Sequence, residues 1–418
     1  MAHLLMVESW VGSMSRLLPR AIEQGGHEFT FLTRDLHHYL GPAPEGTAHP
    51  LLGARNVVTA DTNDTGTLLP LAERLHEALG FDGVLTSCDY YLPAAALIAG
   101  RLGLPGPAAE SVRDACRKDA TRRVLAGAGV PGPRFAVHEE WGALARSAQK
   151  IGYPLVVKPV DLCAGMYVRR VDDEGQLARA VEALTAFPVN ARGQRRDPAV
   201  LLEELLDGPE VSVETVSHGG AVHVVGVTDK SIGGSPAFIE TGHMFPAALP
   251  APDTEAAGRT AVAAIRALGL TDGVVAHTEI KLTAAGPRVV EVNPRPAGNR
   301  ITELVHRVTG IDLVASFVAV SLGREPDVSG GRTGLRSAAI GFLVPETSGT
   351  LASLDGGGVR GAPGVLDLRL AEPGARVTAA GSNNEYLGHV MTGDAQGFGA
   401  RDRAEVLLGE LRSALVIR

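Results

Sequence analysis

His277-Thr-Glu279-Ile-Lys281 and Arg288-Val-Val-Glu291-Val-Asn293-Pro-Arg295 flank the turn residues Ala284-Ala285-Gly286, and the reading of this stretch decides the fold. The alternation on either side predicts a β-hairpin over Ala276–Leu282 and Arg288–Asn293. Folded symmetrically about Ala285, the hairpin sets Glu279 directly opposite Glu291. Asn293 follows two residues on, on the same face. Like charges facing across a ladder destabilise it. A divalent cation between them removes that repulsion. Two carboxylates and an amide oxygen are hard ligands that suit magnesium, which also keeps water and phosphate in its shell. A solvated hairpin face in a register one residue off is the plain alternative. Beyond the hairpin, Pro294, Pro296 and Gly298 stiffen the chain around Arg295. That is a way to hold a guanidinium over a developing oxyanion or a carboxylate. A rigid loop with an incidental arginine is its rival.

Outward from the hairpin, the lysines stand out. The 39 Lys and Arg residues include only five lysines: Lys118, Lys150, Lys158, Lys230 and Lys281. Arginine replaces a compact ammonium poorly where one is required, so each lysine is informative. Lys158 ends the apolar strand Leu155-Val-Val-Lys158 before Pro159 and a loop over Asp161–Met166. There it either reaches a phosphate as a point charge or is an ordinary strand-end lysine. Lys118 opens a helix with Arg122 and Arg123, where a solvated helix face is the simpler reading. Lys281 alternates with Glu279 and neutralises that edge, Lys150 reads as surface, and Lys230 is open. Leu201-Leu-Glu203-Glu204-Leu205-Leu206 has the makings of an adenine hinge, with acceptors, backbone donors and leucine to cover the ring. Glu210 is placed to accept from ribose hydroxyls, and an acidic surface turn is the competing reading. In Glu240-Thr-Gly-His243, Glu240 suits an ammonium group and His243 a carboxyl group, although a lone histidine is more often structural.

The first 112 residues alternate strand and helix. Strands are expected at His3–Glu8, Glu28–Arg34 and Gly83–Cys88, with helices at Ser15–Gln24, Leu68–Leu79 and Tyr91–Leu102. This rhythm implies a parallel sheet. No GxGxxG follows the first strand, which argues against a dinucleotide site. Past Gly330-Gly331, short strands and turns suggest a β-rich C-terminal part. A chain of 418 residues accommodates two to three domains, and a net charge of -8 argues against wrapping nucleic acid. Cys88, Cys116 and Cys163 lack CxxC spacing, which fits a reducing compartment. Met1–Glu8 reads as a strand rather than a signal peptide, and no run of about 18 apolar residues occurs, so a cytoplasmic protein without a membrane partner is expected.

In order and spacing these motifs resemble the ATP-grasp superfamily, and within it the carboxylate–amine ligases similar to L-amino-acid ligases. The resemblance spans nearly the whole chain. It implies an α/β fold with an N-terminal parallel-sheet pre-ATP-grasp domain over 1–112. An ATP-grasp domain follows over 113–328, with a small lid subdomain at about 122–203, and then a β-rich C-terminal domain over 329–418. It implies that Lys118 and Lys158 bind ATP phosphates, that Glu203, Glu204 and Leu206 form the adenine hinge, and that Glu210 meets the ribose. Glu279, Glu291 and Asn293 would bind Mg2+ or Mn2+, and Arg295 would stabilise the acyl phosphate and tetrahedral intermediate. Glu240, His243 and Asn299 would meet the substrate. The implied activity is ATP-dependent amide formation between small molecules, amino acids above all, by a homodimer. An ATP-grasp carboxylase or purine-type ligase using bicarbonate or formate is a rival, as is a nucleotide-binding module without turnover. Asp161-Leu-Cys-Ala-Gly165-Met has a single glycine where such enzymes carry a richer loop, so its backbone should cradle phosphate less freely.

Overall fold

The computed structural model describes residues 1–40 and 48–418. Uninterrupted apolar runs suit strands covered on both faces. His3–Val7 is such a run, buried throughout, and sits between Glu28–Thr33 and Gly83–Leu85 in a parallel sheet. A fourth parallel strand, Asn56–Thr59, forms the edge next to Glu28–Thr33. Its four residues alternate between half-buried and exposed and offer no apolar run to read. Helices Thr65–Leu79 and Leu92–Leu102 each stop at a glycine with positive φ, Gly80 (64°) and Gly103 (67°), where a side chain would be strained.

The expected lid is a four-stranded antiparallel sheet in the order Phe135–His138, Val200–Glu204, Leu155–Pro159, Arg169–Val171. Leu144, Ala148, Leu177 and Leu184 from two helices pack on it. The helix Lys118–Gly127 precedes this sheet.

The C-terminal part is β-rich, as expected, with a core that includes Leu351, Leu368 and Leu407, and its strands also join the central sheet. Ser337–Leu343 pairs with Ile239–Phe245, and Gly388–Asp394 and Val365–Leu370 continue outward. These three strands complete one eight-stranded sheet with the central domain. Strand periodicity reveals strands but not which sheet they join. One face of this sheet is apolar: Val211, Val213, Val227 and Ile280 pack on Ala257 and Ala261 of the helix Ala251–Ala267. By alternation the other face carries Glu210, Ser212 and Glu214, with Lys281, Glu279 and His277 opposite them. That polar face floors the site. Among the described residues no single helix is long and apolar enough to cross a membrane.

Candidate active site

Thr283 pairs with Gly286 at the hairpin's end, so the turn holds only Ala284 and Ala285 and is one residue tighter than a fold centred on Ala285. That register alone would set Glu279 opposite Val290. A β-bulge intervenes: Ile280 pairs with Val289, yet Glu279 pairs with Glu291, leaving Val290 as the extra residue. The two carboxylates therefore do face one another, through a device that strict alternation does not foresee. Asn293 lies across from His277. A cavity of about 750 Å³ opens over them, and all the predicted site residues except His243 line it.

Lysines offset the repulsion on either side. Lys118 Nζ lies 2.9 Å from Glu291, and Lys230 Nζ lies 2.7 Å from Glu279. Among the described residues no three His, Cys, Asp or Glu side chains converge into a protein-only metal cage. Two carboxylates and an amide on a cavity wall instead fit magnesium, which leaves part of its shell to water and phosphate.

Lys230 was the lysine left open by the sequence, and it proves central. Its side chain is 1% exposed and its Nζ meets Glu210 at 3.2 Å, Glu240 at 3.0 Å and Glu279 at 2.7 Å. Glu210 is also 3.4 Å from Lys281, so its carboxylate is already paired at the position expected for ribose. Glu279 is braced as well by His277 Nε2 at 3.4 Å, while His277 Nδ1 stands 3.0 Å from buried Glu214. Burial opposes the imidazolium, but Glu214 outweighs it and holds the His277 pKa up at about 9. Lys230→Met should leave three buried carboxylates with one cation fewer. A loss of roughly 3–5 kcal/mol in a urea melt at pH 7 is expected. The deficit should shrink as the pH falls and the carboxylates take up protons.

Glu240 and His243, three apart, would point to opposite faces of a regular strand. Thr241 is a bulge residue, because Ser231 pairs with Gly242 and Ile232 with Glu240, and this returns both side chains to one face. Glu240 reaches the cavity and accepts from Asn299, whose φ of 47° turns it inward beside Arg300. His243 does not reach it. It is 1% exposed, its ring meets Phe342 edge-on, and Nε2 lies 3.1 Å from Glu240 without hydrogen-bond geometry. The expectation that His243 contacts a substrate carboxyl is therefore corrected: it underlies Glu240.

On another wall of the cavity, Lys158 Nζ is 2.7 Å from Glu203, and Arg122 Nε is 2.5 Å from the same carboxylate. Glu204, facing the other way along the strand, takes Arg134 at 2.5 Å and Arg288 at 2.9 Å. Both carboxylates of this segment are thus paired with cations, and Leu205 and Leu206 beside them line the cavity. Arg122, expected on a solvated face, is 4% exposed. Burial would raise the Glu203 pKa, but Arg122 and Lys158 together push it down to about 2. This pair's stabilisation is present above the ordinary carboxylate pKa and is lost as the pH falls from about 4.5 toward 2. It amounts to roughly 3 kcal/mol. Glu203→Gln should be destabilised at neutral pH and should lack that share of the acid-induced loss, as read from melts between pH 2 and 6.

Arg295 Nε is 2.6 Å from Asp89, and the same Asp89 oxygen takes Trp10 Nε1 at 2.6 Å. The N-terminal domain thus aims the arginine. Asp89 went unread in the sequence. Its only signal is a position just past the carboxyl end of a parallel strand, where open sheets bind ligands. In the lid loop Ala164 (φ 56°), Gly165 (68°) and Tyr167 (58°) are left-handed. Two non-glycine residues thus adopt the conformations for which glycine was expected. Lys118 donates to Leu162 O, and Asn383 N donates to Ala164 O at 3.1 Å, so the loop lies closed over the site.

Comparison with known proteins agrees with this geometry. Residues 151–303 match the ATP-grasp domain, residues 20–106 the ATP-grasp N-terminal domain, and residues 341–416 the L-amino acid ligase C-terminal domain 2. The chain is 32% identical over 337 residues to the uncharacterized protein y4rH of Sinorhizobium fredii, covering 80% of this chain and 68% of that protein. It is 31% identical over 267 residues to carnosine synthase 1 of Homo sapiens, covering 59% of this chain but only 31% of that much longer protein. The crystal structure of the L-amino acid ligase from Bacillus licheniformis superposes with a TM-score of 0.77 at 25% identity, over 100% of this chain and 98% of that one. The paired hairpin carboxylates, the lysines above them and the three matched segments have one explanation, that the chain belongs to the ATP-grasp family and has the domain plan of an L-amino-acid ligase.

Proposed function

We propose that this protein is an ATP-dependent ligase joining the carboxylate of one amino acid to the amine of a second through an acyl phosphate. One observation carries the reading: a single cavity holds Lys118, Lys158, Glu279 and Glu291 together with Arg295, Glu240 and Asn299. Cations for phosphates and an acid for an ammonium group therefore open on the same space. A substrate carboxylate oxygen attacks the γ-phosphorus of ATP, the bond from that phosphorus to the bridging oxygen breaks, and ADP leaves. The amine nitrogen then bonds to the acyl carbon, the acyl C–O bond breaks, phosphate departs, and the nitrogen gives up its proton. Lys118 and Lys158 neutralise phosphate charge, Glu240 holds the ammonium group of the acyl substrate, and Arg295 faces the oxyanion. Glu279, Glu291 and Asn293 would hold magnesium, which supplies Lewis-acid charge against the triphosphate.

A carboxylase using bicarbonate has no need of Glu240 and Asn299 as an ammonium site, nor of the stacked Phe342–Tyr386 wall beside them. The test is phosphate release from ATP and magnesium with single and paired amino acids, bicarbonate and formate. Release that requires an amino-acid pair is expected. Release that requires bicarbonate, or tight ATP binding with no release under any condition, would contradict the reading.

A further inference from the structure

The cations deep in the cavity are matched to carboxylates: Lys118 to Glu291, Lys158 to Glu203, Lys281 to Glu210 and Arg295 to Asp89. Two paths outward from Arg295 end differently. The first runs through Asp89 to Trp10 and on into the helix Met14–Gln24, which brings Arg16 and Arg20 to the cavity wall. Four residues apart, they share a helix face, where like charges repel. Ser13, at that helix's start, makes no side-chain cap, so the positive helix end adds to the same field. His49 beside these arginines is held below its ordinary pKa, first by burial and then by their charges. The second path runs through Arg300, which is matched by Glu303 and Asp367 and touches His389. His389 lies opposite Arg369 on the paired strand, and Arg369 also lines the cavity. Among the described residues Arg16, Arg20 and Arg369 have no carboxylate within ion-pair distance. Phe342 and Tyr386, stacked at 4.4 Å, supply apolar wall in the same cavity.

Under the ligase reading, on which this inference rests, the acyl substrate keeps its carboxylate at Arg295 and its ammonium group at Glu240. The outer chamber is left to the amine donor. Three unmatched guanidiniums exceed the need of one α-carboxylate. We infer that the amine donor is net negative, with a second carboxylate or a phosphate held by Arg16, Arg20 and Arg369.

The test has two stages. Hydroxylamine first replaces the donor, and hydroxamate formation from a panel of carboxylic acids identifies the acyl substrate independently of any donor site. With that acyl substrate fixed, kcat/KM is compared for L-glutamate against L-glutamine and for O-phosphoserine against serine. An acidic donor should be favoured by about tenfold or more, and the better acid tells carboxylate from phosphate. In Arg16→Gln/Arg369→Gln the acid-over-neutral ratio should fall toward one, and in the unaltered protein the ratio should shrink as salt is raised. Equal kcat/KM for acidic and neutral donors, or a preference that survives the double substitution, overturns the inference while the ligase reading stands. No hydroxamate from any acid overturns both.

Discussion

Arg295→Met is expected to lower kcat for ligation by about 10²–10³-fold, the usual cost of deleting one donor aimed at a developing oxyanion. Methionine keeps an apolar stem of similar length, so packing around the stem is retained. Asp89, however, loses the guanidinium 2.6 Å away and keeps Trp10. Some loss of stability should follow from that unpaired acid. The double variant Asp89→Asn/Arg295→Met separates the two effects. It should recover the melting temperature without recovering kcat. Asp89→Asn alone keeps the guanidinium but not its aim, and it should lower kcat by a smaller factor with the KM for ATP little changed. Full activity in Arg295→Met would remove the residue from the chemistry.

Glu291→Gln should cost about 10³-fold in magnesium-dependent turnover, in line with the several kcal/mol that a positioned metal contributes to charge stabilisation. The amide keeps the shape and still offers one oxygen, so the fold should be intact by circular dichroism. Lys118, 2.9 Å from Glu291 and 11% exposed at its side chain, loses its partner. A modest drop in melting temperature is therefore expected. Raising magnesium should recover part of the turnover, because the missing charge weakens the ion's hold rather than the nucleotide's hinge contacts. Glu279→Gln should behave alike but fold less well, since Lys230 and His277 both lean on Glu279. Turnover unchanged in both variants would refute the metal assignment.

The hairpin was legible because alternation around a glycine-bearing turn is a local signal, and the facing of Glu279 and Glu291 follows from it. The route was not legible, since a two-residue turn and a bulge at Val290 offset each other and neither leaves a mark in the alternation. Rarity drew attention to Lys230, but its carboxylates come from three other strands and only the sheet's register brings them together. Asp89 lies 206 positions from Arg295, beyond the reach of any spacing rule. The Glu203-Glu204 segment stood out in the sequence, but the cations that pair with it did not. Arg122, Arg134 and Arg288, which claim Glu203 and Glu204, sit on distant elements. For the same reason the β-rich C-terminal part was legible, but the joining of its three strands to the central sheet was not.

The most direct measurement is a crystal of the protein grown with ADP and manganese, with the metal located by its anomalous scattering. The account predicts a manganese peak bounded by Glu279 and Glu291 on one side and nucleotide phosphate on the other, with Lys158 against the same phosphates. A peak remote from the hairpin, with those two carboxylates still turned onto Lys230 and Lys118, would contradict it.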